Sequence, residues 1–212
     1  IGGTWTNTAT NEGNVLSGNN LEGVLLDAAT NTSITGNNIG LSRDNNAYIG
    51  NVDAGIKLEN GSDGNFIGGT GVGLENIISD NFVGIQTYNS SNNDIENNFI
   101  GTDDLGGTGS VGIGTNDQQF GIILDSGSVA NEVFGLNVIS GNVLGGMVIV
   151  GPDSYDNTVS GNHIGVDING SLSYSNDSVN VYLGNGAYDN IIGGPSSGDM
   201  NVIGGDATIQ II

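Results

Sequence analysis

Carboxylates are the only reactive side chains that this chain carries in quantity: 23 Asp and Glu stand against two Lys and Arg together, one His and no Cys. Catalysis or ion binding would therefore have to be built mainly from acids. Two carboxyl groups cleave a glycosidic bond when they stand about 5–5.5 Å apart, one as nucleophile, or about 6.5–9.5 Å apart, one activating water. Two neighbouring pairs are the catalytic candidates, Asp94 and Glu96 in "NDIENN" and Asp103 and Asp104 in "TDDLGGTG". A hard cation such as calcium needs about six to eight oxygens, many of them main-chain carbonyls. Asp103, Asp104 and Asp167 are the metal candidates, because "TDDLGGTG" and "VDINGS" set acids beside glycines in loops. The segment "GGTGSV" only superficially matches the calcium-binding nonapeptide G-G-x-G-x-D, since Val111 occupies the position of its Asp. The cations are Arg43, Lys57 and His163.

The elements that would position these residues announce themselves by repetition. The phrase "NVLSGN" at 14–19 returns as "NIISDN" at 76–81, "NVISGN" at 137–142 and "NVIGGD" at 201–206. Within that period lie "TSITGNNIG", "NDIENNFIG" and "NTVSGNHIG", and a G-I-x-L-like phrase recurs seven times, from "GVLL" at 23 to "ATIQ" at 207. Each coil thus reads as three short strands: the G-I-x-L phrase, then two N-x-I phrases. An extra loop falls either between the last two strands, as in "GGTGVGLE" at 68–75, or after the third, as in 102–119. Period-2 alternation sends Ile56 and Leu58, Ile122 and Leu124, and Val181 and Leu183 to one side. Strands so short cannot stand as hairpins. They become stable when each hydrogen-bonds its copy about 4.8 Å above in a stacked solenoid.

The punctuation agrees. Glycine counts 39 where average usage would give roughly 15, and Gly or Asn turns a chain sharply at the least steric cost. Asn65, Asn93, Asn131, Asn157 and Asn190 recur at one corner, where their amides can bond from coil to coil. The expected fold is all-β: a right-handed parallel β-helix of about six to seven coils, with residues 1–212 forming one domain.

G-I-x-L followed by N-x-I-x-x-N-x-I resembles the repeat of right-handed parallel β-helix proteins of the pectate-lyase-like superfold. The double coil, with "NVISGN", "GNHIGVDINGS" and "NIIGG", is similar to repeats of large secreted or surface-anchored bacterial proteins. The resemblance covers essentially the whole chain and implies the fold. It does not imply one activity, since this superfold hosts lyases, hydrolases, epimerases, tailspikes and adhesins. Its lyases join Asp-bound calcium to an Arg or Lys base on neighbouring coils. Here Arg43 falls in a loop, Lys57 stands beside Glu59 on a strand, and His163 lies some four coils away, roughly 19 Å at 4.8 Å per coil. His163 also fills the outward slot of Asn38 and Phe99, and the Asp-Pro-His epimerase motif is missing.

A net charge of −21 opposes binding of nucleic acid, anionic lipid or polyanionic glycans. No apolar run approaches the roughly 20 residues of a membrane span. The absence of Cys fits a secreted bacterial protein. The chain opens on Ile1 with neither initiator Met nor signal peptide, which suggests a processed or excised segment. Outward alternation along the G-I-x-L strands exposes Leu25, Lys57, Gln86, Ile123, Val148, Tyr182 and Gln210. Leu25, Ile123, Val148 and Tyr182 are the candidate contact surface. Loop aromatics such as Trp5, Tyr48, Tyr88, Tyr155 and Tyr188 could stack on sugars.

The leading expectation is a non-catalytic structural or adhesive module, extracellular or on a bacterial surface, that binds neutral polysaccharide or another surface protein through its loops. The alternative is a carbohydrate-active enzyme using the loop or strand carboxylates. No cofactor is expected beyond calcium. End-to-end or side association would fit a segment of a longer array.

Overall fold

The computed structural model describes residues 1–3, 13–45, 47–102, 117–205 and 207–211. Chain order passes repeatedly through three parallel sheets. The first sheet stacks Val24–Asp27, Ala54–Glu59, Val83–Tyr88, Phe120–Asp125, Gly145–Val150, Val179–Gly184 and Thr208–Ile211. The second stacks Ser33–Ile34, Phe66–Gly68, Asp94–Glu96, Glu132–Phe134, Thr158–Val159 and Ile191–Ile192. The third stacks Val15–Leu16, Asn38–Ile39, Ile77–Ile78, Phe99–Ile100, Val138–Ile139, His163–Ile164 and Val202–Ile203. The result is a three-sided parallel β-helix, as the repeat spacing requires. Seven strands at about 4.8 Å make a rod about 29 Å long. The opening "IGG" adds a bridge, Gly2 to Thr35, to the second sheet.

Every sheet turns one side inward, and equivalent residues stack in columns. In the second sheet the column is Ile34, Ile67, Ile95, Val133 and Val159, none more than 1% exposed. In the first sheet Ile56, Ile85, Ile122, Met147 and Val181 are in register, all fully buried. Each such side chain contributes about 1.5–3 kcal/mol of burial, so the core lengthens by a fixed increment with each coil.

Asparagine ladders close the corners. At the corner before the second sheet, the Nδ2 amide of Asn65 donates to Asn93 Oδ1 at 2.9 Å, Asn93 to Asn131 at 2.9 Å, Asn131 to Asn157 at 3.0 Å and Asn157 to Asn190 at 2.9 Å. Each main-chain N–H donates to the same Oδ1, and each Nδ2 also reaches a carbonyl, as Asn131 does to Ser90 at 3.0 Å. One amide thereby satisfies buried donors and acceptors of two coils, which would otherwise cost about 1–3 kcal/mol apiece.

A second ladder, Asn14–Asn37–Asn76–Asn98–Asn137–Asn162–Asn201, runs before the third sheet. A third begins Asn19–Asn51–Asn81, continues through Gln118 to Asn142 and Asn176, and ends on Asn180. The third ladder explains a glycine column: a Cβ at Gly84 would fall 2.8 Å from Gln118 Nε2 and 2.5 Å from Gly121 O.

Candidate functional site

The predicted carboxylates divide by position. Asp94 and Glu96 lie on one strand of the second sheet and point outward, half-buried. The register sets Glu132 directly opposite Asp94 on the next strand, with Phe66 on its other flank and Phe134 opposite Glu96. Partial burial, and then the charge of Glu132, raises the Asp94 carboxyl above its ordinary value. Burial, and then Asp94, does the same for Glu96. Adjacent strands stand about 4.8 Å apart, so Asp94 and Glu132 are the closer pair and Asp94 and Glu96 the wider one. The sequence did not single out Glu132, because its partnership with Asp94 depends on inter-coil register. Asp103 and Asp104 lie outside the described residues.

Asp167 is fully buried and organises a tight hairpin. Its Oδ1 accepts N–H bonds from Ser171 at 2.8 Å and Leu172 at 2.9 Å, and its Oδ2 accepts one from Asn169 Nδ2 at 3.2 Å. The Leu172 N–H above all holds this carboxyl below the usual aspartate value, despite burial. His163 Nδ1 lies 3.1 Å from the Asp167 carbonyl. A carbonyl oxygen can only accept, so Nδ1 carries the proton. His163 thus pins the hairpin onto the third sheet, and its outward slot in the Phe99–Val138–His163 column matches the sequence reading.

A sister hairpin, closed by pairing of Leu41 with Tyr48, sits over Asn38. Ser42 occupies the place of Asp167, its Oγ accepting the Ala47 N–H at 3.1 Å. Arg43 is exposed in this turn. Lys57 is paired on the first sheet with Glu59 at 3.1 Å and Glu22 at 3.4 Å. Burial lowers its pKa, but the hydrogen bond and charge of Glu59 and the charge of Glu22 outweigh that and hold it above the ordinary lysine value. Among the described residues, no group of three or more His, Cys, Asp or Glu side chains is arranged to hold a metal ion.

The expected contact stripe needs one correction. Leu25 is 47% exposed, and Ile123 and Tyr182 are half-buried, but Val148 retains only 7% of its surface. It faces outward in register between Ile123 and Tyr182, and these larger neighbours cover it.

The aromatic side chains carry a feature that spacing alone did not reveal. At the turn from the first sheet to the second, Tyr155 pairs with Tyr188 and their rings stack, 5.1 Å between centroids at 14°. The residue after each is an aspartate with left-handed backbone, Asp156 and Asp189. Burial and then the neighbouring Tyr155, Asp153, Asp189 and Asp156 raise the Tyr188 hydroxyl's pKa, so it remains a neutral donor and acceptor. Beside it a cavity of about 350 Å³ is lined by Leu183, Ala187, Tyr188, Asp189, Asn190, Ile192 and Ile211.

Comparison of the chain with protein-family models, curated proteins and solved structures finds no match. The functional reading rests on this geometry.

Proposed function

We propose that this chain is a non-catalytic structural and adhesive module of an extracellular or cell-surface bacterial protein, holding neutral glycans through its corner loops. The observation that carries the reading is the Tyr155–Tyr188 stack with Asp156 and Asp189 beside it. A ring face accepts the apolar C–H face of a sugar, while the phenol, carboxylate and amide groups at its edge match sugar hydroxyls. The ladders hold this corner on a rigid scaffold, so little ordering is required on binding. The charge of −21 selects against polyanionic glycans. The test is retention on a panel of immobilised neutral and acidic polysaccharides. Retention on a neutral member, weakened about tenfold or more in Tyr188→Ala, supports the reading; equal retention of both proteins refutes it.

A second reading, glycoside hydrolysis, draws on Asp94, Glu96 and Glu132. Glu132 stands opposite Asp94 on the adjacent strand, Glu96 lies two residues along from Asp94, and Asp94 and Glu96 have raised pKa values, as a general acid requires. Release of new reducing ends from any panel member, abolished in Glu132→Gln and Asp94→Asn, would replace the binding reading with this one.

A further inference from the structure

The chain has no Cys, so no disulfide can tie one coil to the next. The Tyr155–Tyr188 stack offers a different covalent tie. These residues pair on neighbouring coils, where the Tyr188 N–H donates to the Ser154 carbonyl at 3.1 Å. Just beyond them, Asn157 Nδ2 donates to Asn190 Oδ1 at 2.9 Å, and Asn190 Nδ2 reaches back to the Tyr188 carbonyl at 2.9 Å. The corner thus holds two phenol rings face to face, 5.1 Å between centroids and 14° from parallel. Tyr188 is 48% exposed and Tyr155 half-buried, so an oxidant in solution reaches one ring while the other already lies against it. Register gives the strand tyrosines no such neighbour: Tyr88 stands opposite Asp125, and Tyr182 lies between Val148 and Gln210.

We propose that Tyr155 and Tyr188 are a cross-linking site, at which hydrogen peroxide acting through a peroxidase-type one-electron oxidant joins them as dityrosine and staples two coils together. Each phenol gives up one electron and one proton, leaving a phenoxyl radical whose spin spreads to the ring carbons beside the oxygen. The two radicals pair to form one C–C bond between such carbons. The hydrogen on each joined carbon then moves to the oxygen of its ring, restoring both phenols. Hydrogen peroxide accepts the two electrons and two protons and becomes two waters. Each ring swings about its two side-chain torsions, which closes the gap left by the stack. The carboxylates of Asp153, Asp156 and Asp189 act on the Tyr188 hydroxyl and can take up its proton.

Holding both reactants side by side favours coupling within the chain, and a net charge of −21 keeps separate chains apart. The reaction does not rest on glycan binding, although it uses the same two rings.

The test is treatment of the intact chain, dilute and without glycan, with a haem peroxidase and hydrogen peroxide under conditions that couple free tyrosine. Dityrosine fluorescence, intact mass and a peptide map are read together. The monomer should lose two hydrogen atoms, and the map should show one linked pair of peptides, carrying Tyr155 and Tyr188. Tyr155→Phe and Tyr188→Phe keep a ring in the stack but remove the phenol, and each should lower the fluorescence by about tenfold or more. Tyr88→Phe should leave it unchanged. Absence of dityrosine while free tyrosine couples would overturn the proposal, as would links formed only between chains or a signal that survives both Tyr155→Phe and Tyr188→Phe.

Discussion

Asn131 accepts from the main chain and side chain of Asn93 through one oxygen, and donates to Asn157 and Ser90 through one nitrogen. Replacing it by Ala therefore strips partners from groups on both neighbouring coils. Asn131→Ala should lower stability by about 3 kcal/mol, whereas Asn14→Ala, at an exposed end of its ladder, should cost under about 1 kcal/mol; denaturant titration of both variants checks the contrast. Strain gives the opposite sign. Leu136 is exposed and has φ of 73°, a region that penalises any side chain, so Leu136→Gly should stabilise the fold by up to about 1 kcal/mol.

The acids give a pH dependence. The folded state raises the Asp94 and Glu96 carboxyls, so it binds more protons than the unfolded chain between the unfolded value, about 4, and the raised one. Their contribution to stability falls as pH rises through that window and is most unfavourable above it. Glu132→Gln removes the opposing charge and should add about 0.5 kcal/mol at neutral pH, a gain that disappears near pH 3 when both proteins are titrated. The repeat made Asp94 and Glu96 visible as an outward pair. Glu132 and the covered Val148 were not, because both depend on which residues of neighbouring coils stand opposite each other.

At the scale of the strand, the sequence was most informative. Offsets between Gly, Ile and Asn marked three strands per coil and the corner of the Asn65 ladder, because each coil must solve the same stacking problem with the same residues. The column through Ile95 shows why substitutions are felt locally: it packs between Ile67 and Val133, fully buried. Ile95→Ala should cost about 3 kcal/mol, measurable by thermal or denaturant unfolding. What escaped the sequence were features that cross from one element type to another. Gln118 continues an asparagine ladder with a different side chain. Asn38 and His163 pin equivalent hairpins with different chemistry. The Tyr155–Tyr188 stack joins two turns that both read Tyr-Asp-Asn, but the ring contact depends on those turns standing opposite each other on neighbouring coils.

The whole molecule is a rod whose core is additive and whose charge is not. Long-range repulsion among acids opposes compaction and is screened by salt. Raising NaCl from about 10 to 150 mM shortens the Debye length from about 30 to 8 Å, and should raise the melting temperature. The rod's stability is a sum over neighbouring coils, while the proposed glycan recognition is confined to one corner of it. Binding of a neutral polysaccharide by the intact protein and by Tyr188→Ala, followed with circular dichroism of both, tests that division most directly. The account predicts an unchanged β-helix in the variant with its glycan affinity reduced about tenfold or more. A variant that is equally folded and binds equally well would contradict it.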